Sequence, residues 1–280
     1  MSTTETVGTN TVAGGDTFAA TQAAQDAKAP KRTRRFRVWR GDAAGGELRD
    51  YETEVSEGMV VLDAIHRIQA ESANDLAVRW NCKAGKCGSC SAEINGKPKL
   101  MCMTRLNSLP EDAPVTVTPM RAFPVLRDLV TDVSWNYAVH RSIPPFSPRE
   151  PDAPDGTWRM TQAEVDRPQE FRKCIECFLC QDVCHVLRSH GRHDRFMGPA
   201  FLVRAGVYEM HPLDTADRTR YLKDEGGIGF CNITKCCTEV CPEGIRITDN
   251  AIIPLKERVV DRHYDPVRRL VQLVRGRRKG

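Results

Sequence analysis

The chain has 280 residues and a net charge of +4, which leaves room for about two ordinary domains and gives no argument for a nucleic-acid partner. Its first ten residues lack the basic start and apolar core of a secretory signal, and no apolar run approaches the roughly 18 residues that a membrane-spanning helix needs. The twelve cysteines therefore indicate metal chemistry rather than disulfides, which persist mainly in oxidising compartments.

The first part of the chain predicts a leader, a small sheet and a helix. Residues 1–33 hold few large apolar side chains and predict a disordered leader. Beyond them Phe36 and Val38 alternate with charged residues, and a glycine-rich stretch precedes a second alternating run, so a β-hairpin is expected. The apolar residues within 61–68 recur at i, i+3, i+4 and i+7, which predicts a helix with one buried face.

The next segment has cysteines at the spacing of a plant-type 2Fe-2S site. The stretch NCKAGKCGSC sets three of them at CxxxxCxxC, and a short hairpin with an Asn-Gly turn leads to the fourth. The four predicted ligands are Cys82, Cys87, Cys90 and Cys102. We expect Gly85 and Gly88 to let the loop approach the sulfides and donate N–H hydrogen bonds to them. With a strand predicted at 115–117, residues 34–140 are expected to form a β-grasp ferredoxin domain.

The remainder of the chain predicts an α-helical domain. Residues 141–168 contain six prolines and predict an extended linker. Residues 169–262 carry both later cysteine segments, with a helix expected to begin at Pro199 between them, and residues 263–280 predict a basic tail. The expected fold class is α+β, with an N-terminal β-grasp 2Fe-2S ferredoxin domain followed by an α-helical two-cluster ferredoxin domain.

The first of the later segments has the spacing of a two-cluster ferredoxin. Its CxxCxxCxxxC pattern is formed by Cys174, Cys177, Cys180 and Cys184. In such proteins three cysteines of one segment hold one cubane, and the fourth ligates the cluster of the partner segment. We therefore expect Cys241, which precedes Pro242, to complete the first cubane. Cys184 would join ligands from the later segment.

The later segment lacks one thiol. Read in the same spacing, it has ligand positions at Cys231, Thr234 and Cys237. A corner without a thiolate favours a three-iron cluster, held by Cys184, Cys231 and Cys237. Thr234 would then be a spacer that blocks a fourth iron, or a weak ligand through its hydroxyl. Cys236 is left over and is expected to be a buried bystander, since the register that uses it instead of Cys237 fits no ferredoxin spacing.

Taken together, these motifs resemble the iron-sulfur subunit of succinate dehydrogenase and fumarate reductase. The resemblance covers about residues 34–262. It rests on VLDAI before the first cysteines, on CxxxxCGSC with its closing cysteine, on RDLV at residues 127–130, and on both later segments with GPA between them.

The resemblance implies an electron-transfer subunit that performs no chemistry on succinate itself. Such a subunit lies between a flavoprotein with covalent FAD and a membrane anchor that meets quinone, on the cytoplasmic face of the cell membrane. Electrons pass singly from a 2Fe-2S cluster nearest the flavin, through a 4Fe-4S cluster, to a 3Fe-4S cluster nearest the membrane. The resemblance assigns Cys82, Cys87, Cys90 and Cys102 to the first cluster, Cys174, Cys177, Cys180 and Cys241 to the second, and Cys184, Cys231 and Cys237 to the third.

Two positions depart from the family pattern. Cys184 is followed by His185 rather than Pro, with no Trp pair after it, and Cys231 is followed by Asn232 rather than His. The quinone-proximal candidates are His185, Asn232 and Thr234. The departures indicate the branch whose anchor is a dihaem cytochrome b and whose quinone, often menaquinone, docks in the anchor.

Simpler interpretations compete with several of these assignments. Structural zinc also uses CxxC pairs, but it takes two separated pairs per site, whereas here triplets crowd one segment. His185 is either a proton relay or quinone contact, or an ordinary hydrogen-bonded histidine, and His190 and His193 are expected in a solvated loop. The basic tail is either a solvated face or a surface that meets anionic lipid, where each basic residue gains about 1 kcal/mol.

The sequence leaves three kinds of function open. The first is the electron-transfer subunit of a succinate:quinone oxidoreductase, working in either direction. The second is an iron-sulfur sensor or nucleic-acid binder, supported only by the basic tail. The third is a ferredoxin-type subunit of another dehydrogenase. Three clusters in a line favour electron transport, so we expect no nucleic-acid partner.

Overall fold

The structure is a computed structural model that describes residues 32–266. The predicted leader lies outside the described residues except for its last two positions, and so does the predicted tail from residue 267 onward.

The first part of the chain is a mixed sheet, as predicted. β1 (Arg32–Asp42) and β2 (Gly45–Val55) form an antiparallel hairpin, and Phe36 and Val38 are fully buried between exposed arginines. The other strands are β3 (Ser91–Ile94), β4 (Lys97–Leu100), β5 (Val115–Thr118), β6 (Val125–Arg127) and β7 (Val130–Thr131). The sheet order is β4-β3-β5-β1-β6-β7, with β2 paired to β1 off this path. Because β1 and β5 run parallel, a crossover must join them, and it includes a helix and the first cysteine loop.

The helix of this crossover is α1 (Val61–Glu71), which packs against β2. The periodic apolar residues predicted for its buried face are buried. At its start the backbone amide of Val60 donates to the carboxylate of Asp63 at 3.2 Å, which satisfies one of the amides near the helix start. Both predictions for the helix, its period and its buried face, are confirmed.

The β3–β4 hairpin holds two of the predicted ligands at its base. Asn95 and Gly96 both have positive φ, as a two-residue type I′ turn requires, and they join Ile94 directly to Lys97. Cys90 immediately precedes β3, and Cys102 follows shortly after β4. The tight turn therefore returns the chain so that these two cysteines meet.

The second part of the chain is helical. Its helices are α2 (Ser134–Ser142), α3 (Gln162–Gln169), α4 (Leu179–Asp182), α5 (His185–Arg188), α6 (Gly198–Glu209), α7 (Thr219–Asp224), α8 (Cys236–Glu239) and α9 (Ile253–His263). Short 3-10 turns occupy Leu106–Ser108, Glu170–Lys173 and Ile228–Phe230, and a π-helix at Ile247–Ile252 leads into α9. α6 has Pro199 in its first turn, as predicted, and most of its residues are buried.

The segment predicted as an extended linker differs from that expectation. Its end forms α3, which Thr161 starts with a capping box, so proline content alone was a poor guide there. Its beginning is held against the helical part by Arg218, a fully buried guanidinium that donates to the carbonyl oxygens of Pro144 at 2.8 Å and Pro145 at 2.6 Å. Asp214 pairs with the same guanidinium at 2.8 Å, so the buried charge is compensated.

The two parts share one core. The buried apolar residues form a single cluster from Phe36 in β1 to Val259 in α9. The architecture is α+β, as predicted, while the boundary between the two parts stays a prediction. Within residues 32–266, no helix is both long enough and apolar enough to cross a bilayer.

Candidate metal centres

The first group of thiols lies on the loop before β3 and at the base of the β3–β4 hairpin. Cys82 Sγ accepts hydrogen bonds from the backbone amides of Ala84 at 3.4 Å and Lys86 at 3.3 Å. Both donors are neighbours of Gly85, and the donation expected from Gly85 and Gly88 to the sulfides of a cluster stays a prediction. Amides that point at a thiolate stabilise its charge, and around a cluster they also tune the reduction potential.

Further hydrogen bonds link the four cysteines of this group in two pairs. The amide of Cys82 donates to Cys87 Sγ at 3.5 Å, and the amide of Cys102 donates to Cys90 Sγ at 3.4 Å. Burial opposes ionisation of Cys87, but hydrogen bonds from Ser89 and Cys82 lower its pKa to about 7. Burial raises the pKa of Cys90 to about 12. The group thus combines two partly exposed thiols, Cys82 and Cys87, with two buried ones, Cys90 and Cys102.

The second group lines a cavity between the loop before α4 and the start of the segment after α8. Its four thiols are Cys174, Cys177, Cys180 and Cys241. The lining is otherwise largely apolar and includes Phe178 and Ile245. Burial raises the pKa of Cys177 to about 12 and also raises that of Cys180. Thiols in such a place stay protonated unless a bound cation compensates the negative charge.

The third group lines a separate cavity beside α5 and α8. Cys184, Cys231, Cys236 and Cys237 all contribute to its wall, and so does Thr234. Burial raises the pKa of Cys237 to about 11 and also raises that of Cys184. Cys236 lies on this wall and is partly exposed, and not buried as expected, while its role as a bystander stays a prediction. Its Sγ lies 3.3 Å from Thr234 Oγ1.

The two later segments adopt the same local backbone. Each has a left-handed residue at the second and fourth positions after its first cysteine: Glu176 and Phe178 in one, Ile233 and Lys235 in the other. Non-glycine residues seldom adopt positive φ, so finding two of them at the same positions in both segments indicates a shared local structure. The two left-handed residues give both segments the same turn.

The match also bears on the register of the later segment. α4 and α8 begin at the same offset of 57 residues that separates Cys174 from Cys231. This offset places Thr234 where the earlier segment has Cys177, and Cys237 where it has Cys180. Cys236 corresponds to Leu179, which is not a ligand position. The backbone thus supports the register chosen from spacing.

The donor sets fit clusters better than single ions. All twelve thiols are free, and among residues 32–266 no three His, Cys, Asp or Glu side chains converge as ligands of one ion would. Instead, groups of thiols line cavities and are held apart by the space between them. Iron-sulfur clusters are bound by cysteine thiolates around an inorganic core, which is the arrangement that such cavities suit.

The quinone-proximal candidates are brought together, whereas another predicted loop residue is not where we expected it. His185, Asn232 and Thr234 all lie on the wall of the third cavity.

His193, predicted to be solvated, packs edge-on against Trp135 with ring centroids 4.7 Å apart. The indole N–H of Trp135 also donates to the carbonyl oxygen of His193 at 3.1 Å. That loop is part of the packing between α2 and the segment before α6.

A buried ion-pair cluster joins the first thiol group to the third, and the sequence did not reveal it. Glu93 in β3 is fully buried and pairs with Arg188 in α5 at 2.6 Å and with Arg121 at 2.8 Å. Asp182, between two predicted ligands, is also fully buried, and burial raises its pKa to about 7. Its carboxylate accepts from the amide of Ala122 at 2.9 Å. These contacts fix the helical part against the sheet.

Two family models match the chain. One is described as a 2Fe-2S iron-sulfur cluster binding domain and covers residues 35–137. The other is described as a 4Fe-4S dicluster domain and covers residues 170–245. Together they span the described sheet and the two later cysteine segments.

Proteins of known name are similar over most of the chain. The fumarate reductase iron-sulfur subunit of Mycobacterium tuberculosis is 38% identical over 200 residues, covering 70% of this chain and 79% of that protein. The succinate dehydrogenase iron-sulfur subunit of Paracoccus denitrificans is 32% identical over 235 residues, covering 82% and 89%. Among solved structures, a chain of the Mycobacterium smegmatis Sdh1 complex in the apo form is 64% identical, with a TM-score of 0.82, and it covers 85% of this chain and 100% of its own length.

Proposed function

This chain belongs to the family of iron-sulfur subunits of succinate dehydrogenase and fumarate reductase, and we propose that it conducts electrons from a flavoprotein to quinone within a succinate dehydrogenase complex. The observation that carries the proposal is the arrangement of its thiols in three adjoining groups. The first group is linked to the second by the hydrogen bond from Ser91 to the carbonyl of Cys177, and the second meets the third where α4, which holds Cys180, packs against α8, which holds Cys237.

We assign eleven cysteines to three clusters. The 2Fe-2S cluster would be held by Cys82, Cys87, Cys90 and Cys102, the 4Fe-4S cluster by Cys174, Cys177, Cys180 and Cys241, and the 3Fe-4S cluster by Cys184, Cys231 and Cys237. Bound there, the clusters would supply one-electron carriage. The shared offset of the two later segments supports the second and third assignments, because it sets Thr234 at the corner where a cysteine would be needed for a fourth iron.

The residues of the chain position and tune the clusters and carry out no acid–base chemistry on a substrate. Backbone amides such as those of Ala84 and Lys86 donate to ligand sulfur, which favours the more negative, reduced form and raises the potential. Burial in the second cavity disfavours the added negative charge of the reduced form and therefore lowers the potential. Clusters of these types cover roughly −700 to +450 mV, so such local differences are sufficient to order three carriers.

The proposed partners follow from this function. A flavoprotein with FAD would meet the first thiol group, and an integral membrane anchor, of the cytochrome b kind, would meet the third, where menaquinone or another quinone accepts electrons. The chain would therefore lie peripherally on the cytoplasmic face of the membrane. His185, Asn232 and Thr234 lie on the wall of the third cavity and are the residues we propose nearest to the quinone.

Purification of the tagged chain from membranes, under anaerobic conditions, tests the proposal. We expect a flavoprotein with FAD to co-purify. We also expect electron paramagnetic resonance to show a three-iron signal in the oxidised sample and a 2Fe-2S signal after succinate is added. Co-purification of an unrelated dehydrogenase, with clusters that dithionite reduces but succinate does not, would contradict it. A Cys102→Ser variant is the matched control, since it should lose only the 2Fe-2S signal.

Fumarate reduction is the second candidate, and the name of the M. tuberculosis relative favours it. The two directions use the same thiol groups, so structure alone does not separate them. Assaying the purified complex for succinate oxidation with a quinone acceptor, and for fumarate reduction with a quinol donor, decides between them. The direction with the larger kcat/KM at matched quinone and quinol concentrations is the one we would assign.

A further inference from the structure

Ser91 connects the first thiol group to the second. It directly follows Cys90, begins β3 and is almost completely buried. Its hydroxyl oxygen lies 2.8 Å from the carbonyl oxygen of Gly88 and 2.8 Å from the carbonyl oxygen of Cys177. A serine hydroxyl has a single proton, so one O–H is shared between the carbonyls of two different loops. Each of those loops carries predicted ligands.

Gly88 lets the same two loops come into contact. It has φ +68°, and a Cβ built on it would lie 2.5 Å from the Cα of Cys177 and 2.8 Å from its Cβ. Backbone atoms cannot move away from such an overlap without displacing the loop. Glycine is therefore required here for close approach to the second loop, beyond the approach to sulfide that the sequence suggested.

We propose that Ser91 and Gly88 are positioning residues that set the separation between the first and second clusters. The proposal rests on the proposed function, since it assumes that the thiol groups hold clusters. Transfer between them moves one electron and neither makes nor breaks a bond nor moves a proton. Its rate therefore depends on the separation of the two groups and on their potentials. Ser91 acts on the separation by holding the backbone of Cys177 to that of Gly88.

Loss of the hydroxyl would change this separation for a simple electrostatic reason. The carbonyl oxygens of Gly88 and Cys177 both face Ser91 Oγ. Without the hydroxyl, the Gly88 carbonyl would keep the backbone amide of Ser91 as a donor at 3.2 Å, but the Cys177 carbonyl would lose its donor from Ser91. With no proton between them, the two carbonyl oxygens would repel each other, and the Cys177 carbonyl would recover the lost hydrogen bond only from water. Entry of water between the loops would push them apart.

In the described part of the chain, other contacts between the sheet part and the helical part do not join a ligand loop of the first group to the backbone of a ligand in the second. Lys86 pairs with Glu243 at 3.1 Å, but the lysine is largely exposed, and solvent screens such a pair. Glu93 and Arg188 are joined firmly, but the ligand to whose backbone Arg188 is bonded is Cys184 of the third group, and not a ligand of the second. Ser91 is bonded covalently to one ligand, Cys90, and by hydrogen bond to the backbone of another, Cys177.

The test compares three variants in the purified complex with its flavoprotein. Ser91→Ala removes the hydroxyl, and Ser91→Thr keeps it on a side chain suited to a strand. Thr104→Val is the matched control, because Thr104 is equally buried and its hydroxyl donates to the carbonyl of Leu100 at 2.9 Å within the sheet part alone. Iron content is measured for each variant, and only iron-replete samples are compared.

The readout is the magnetic interaction between the reduced first and second clusters, measured by electron paramagnetic resonance after full reduction with dithionite. This dipolar interaction falls with the cube of the separation, and a purely stabilising role would leave it unchanged. We expect it to weaken in Ser91→Ala, to be restored in Ser91→Thr and to be unchanged in Thr104→Val. The 2Fe-2S signal seen with succinate alone should keep its shape in all three.

Two results would overturn the proposal. One is a Ser91→Ala complex with full iron content and an unaltered interaction. The other is loss of the second cluster from Ser91→Ala, which would show that the hydroxyl retains that cluster and does not set its distance. If the wild-type complex itself contains no clusters, the proposed function fails first, and the two failures are thus distinguishable.

Discussion

The contact at Gly88 allows the packing of the two ligand loops to be tested with a single substitution. Gly88→Ala introduces a Cβ that would lie 2.5 Å from Cys177 Cα. A left-handed alanine costs about 1–2 kcal/mol, and overpacking a tight contact costs typically 1–3 kcal/mol more. We therefore expect a loss of about 2–5 kcal/mol in the free energy of unfolding. The loops should also separate, which would weaken the interaction between the first two clusters.

Gly96→Ala supplies the control for the backbone contribution. Gly96 has φ +74°, close to that of Gly88, but its Cβ would meet no atom within 4 Å. Gly96→Ala should therefore lower the free energy of unfolding only by the conformational cost, about 1–2 kcal/mol. Urea unfolding of both variants, iron-replete and anaerobic, measures the difference from the shift in midpoint at unchanged slope. Equal losses for the two variants would show that the loops are not in contact at Gly88.

Three further predictions concern ligands and packing. Cys241→Ser should abolish the 4Fe-4S signal and remove about four irons per chain, because Cys241 shares its cavity with the earlier segment. The 2Fe-2S signal should persist. Electron paramagnetic resonance with iron analysis measures both, and loss of the 2Fe-2S signal instead would contradict the assignment. Thr234→Cys should allow a fourth iron at the third site, so that the oxidised sample loses its three-iron signal; persistence of that signal would argue against our register. Arg218→Met should lower the free energy of unfolding in urea by about 3–5 kcal/mol, because it leaves the buried charge of Asp214 unpaired. The control is Arg220→Met, at a position 87% exposed, which should lower it by less than about 0.5 kcal/mol.

Features that depend on neighbours in the chain could be predicted from the sequence. The alternation around Phe36 and the period-3.6 pattern of α1 report which face is buried, and both were confirmed. The spacing of the cysteines carried still more information, because a ligand loop must turn around its cluster within a few residues. The prediction for Thr234 rests on this spacing.

Features that depend on distant residues could not be predicted in this way. Gly88 looked like a loop glycine, and only the fold shows Cys177 against it. Arg218 had no local signal of burial, since its partners Pro144 and Pro145 belong to a segment that proline content marked as a linker. Cys236 was judged by its place in the spacing alone, which does not reveal that its side chain reaches the cavity wall.

Counting the metal in the chain tests the central claim most directly. The claim is that eleven thiolates in three groups hold clusters of two, four and three irons. Iron, zinc and acid-labile sulfide, quantified in the anaerobically purified complex, should give about nine irons per chain, about ten sulfides, and no stoichiometric zinc. Stoichiometric zinc, or markedly fewer irons in a preparation with full flavin content, would contradict the claim.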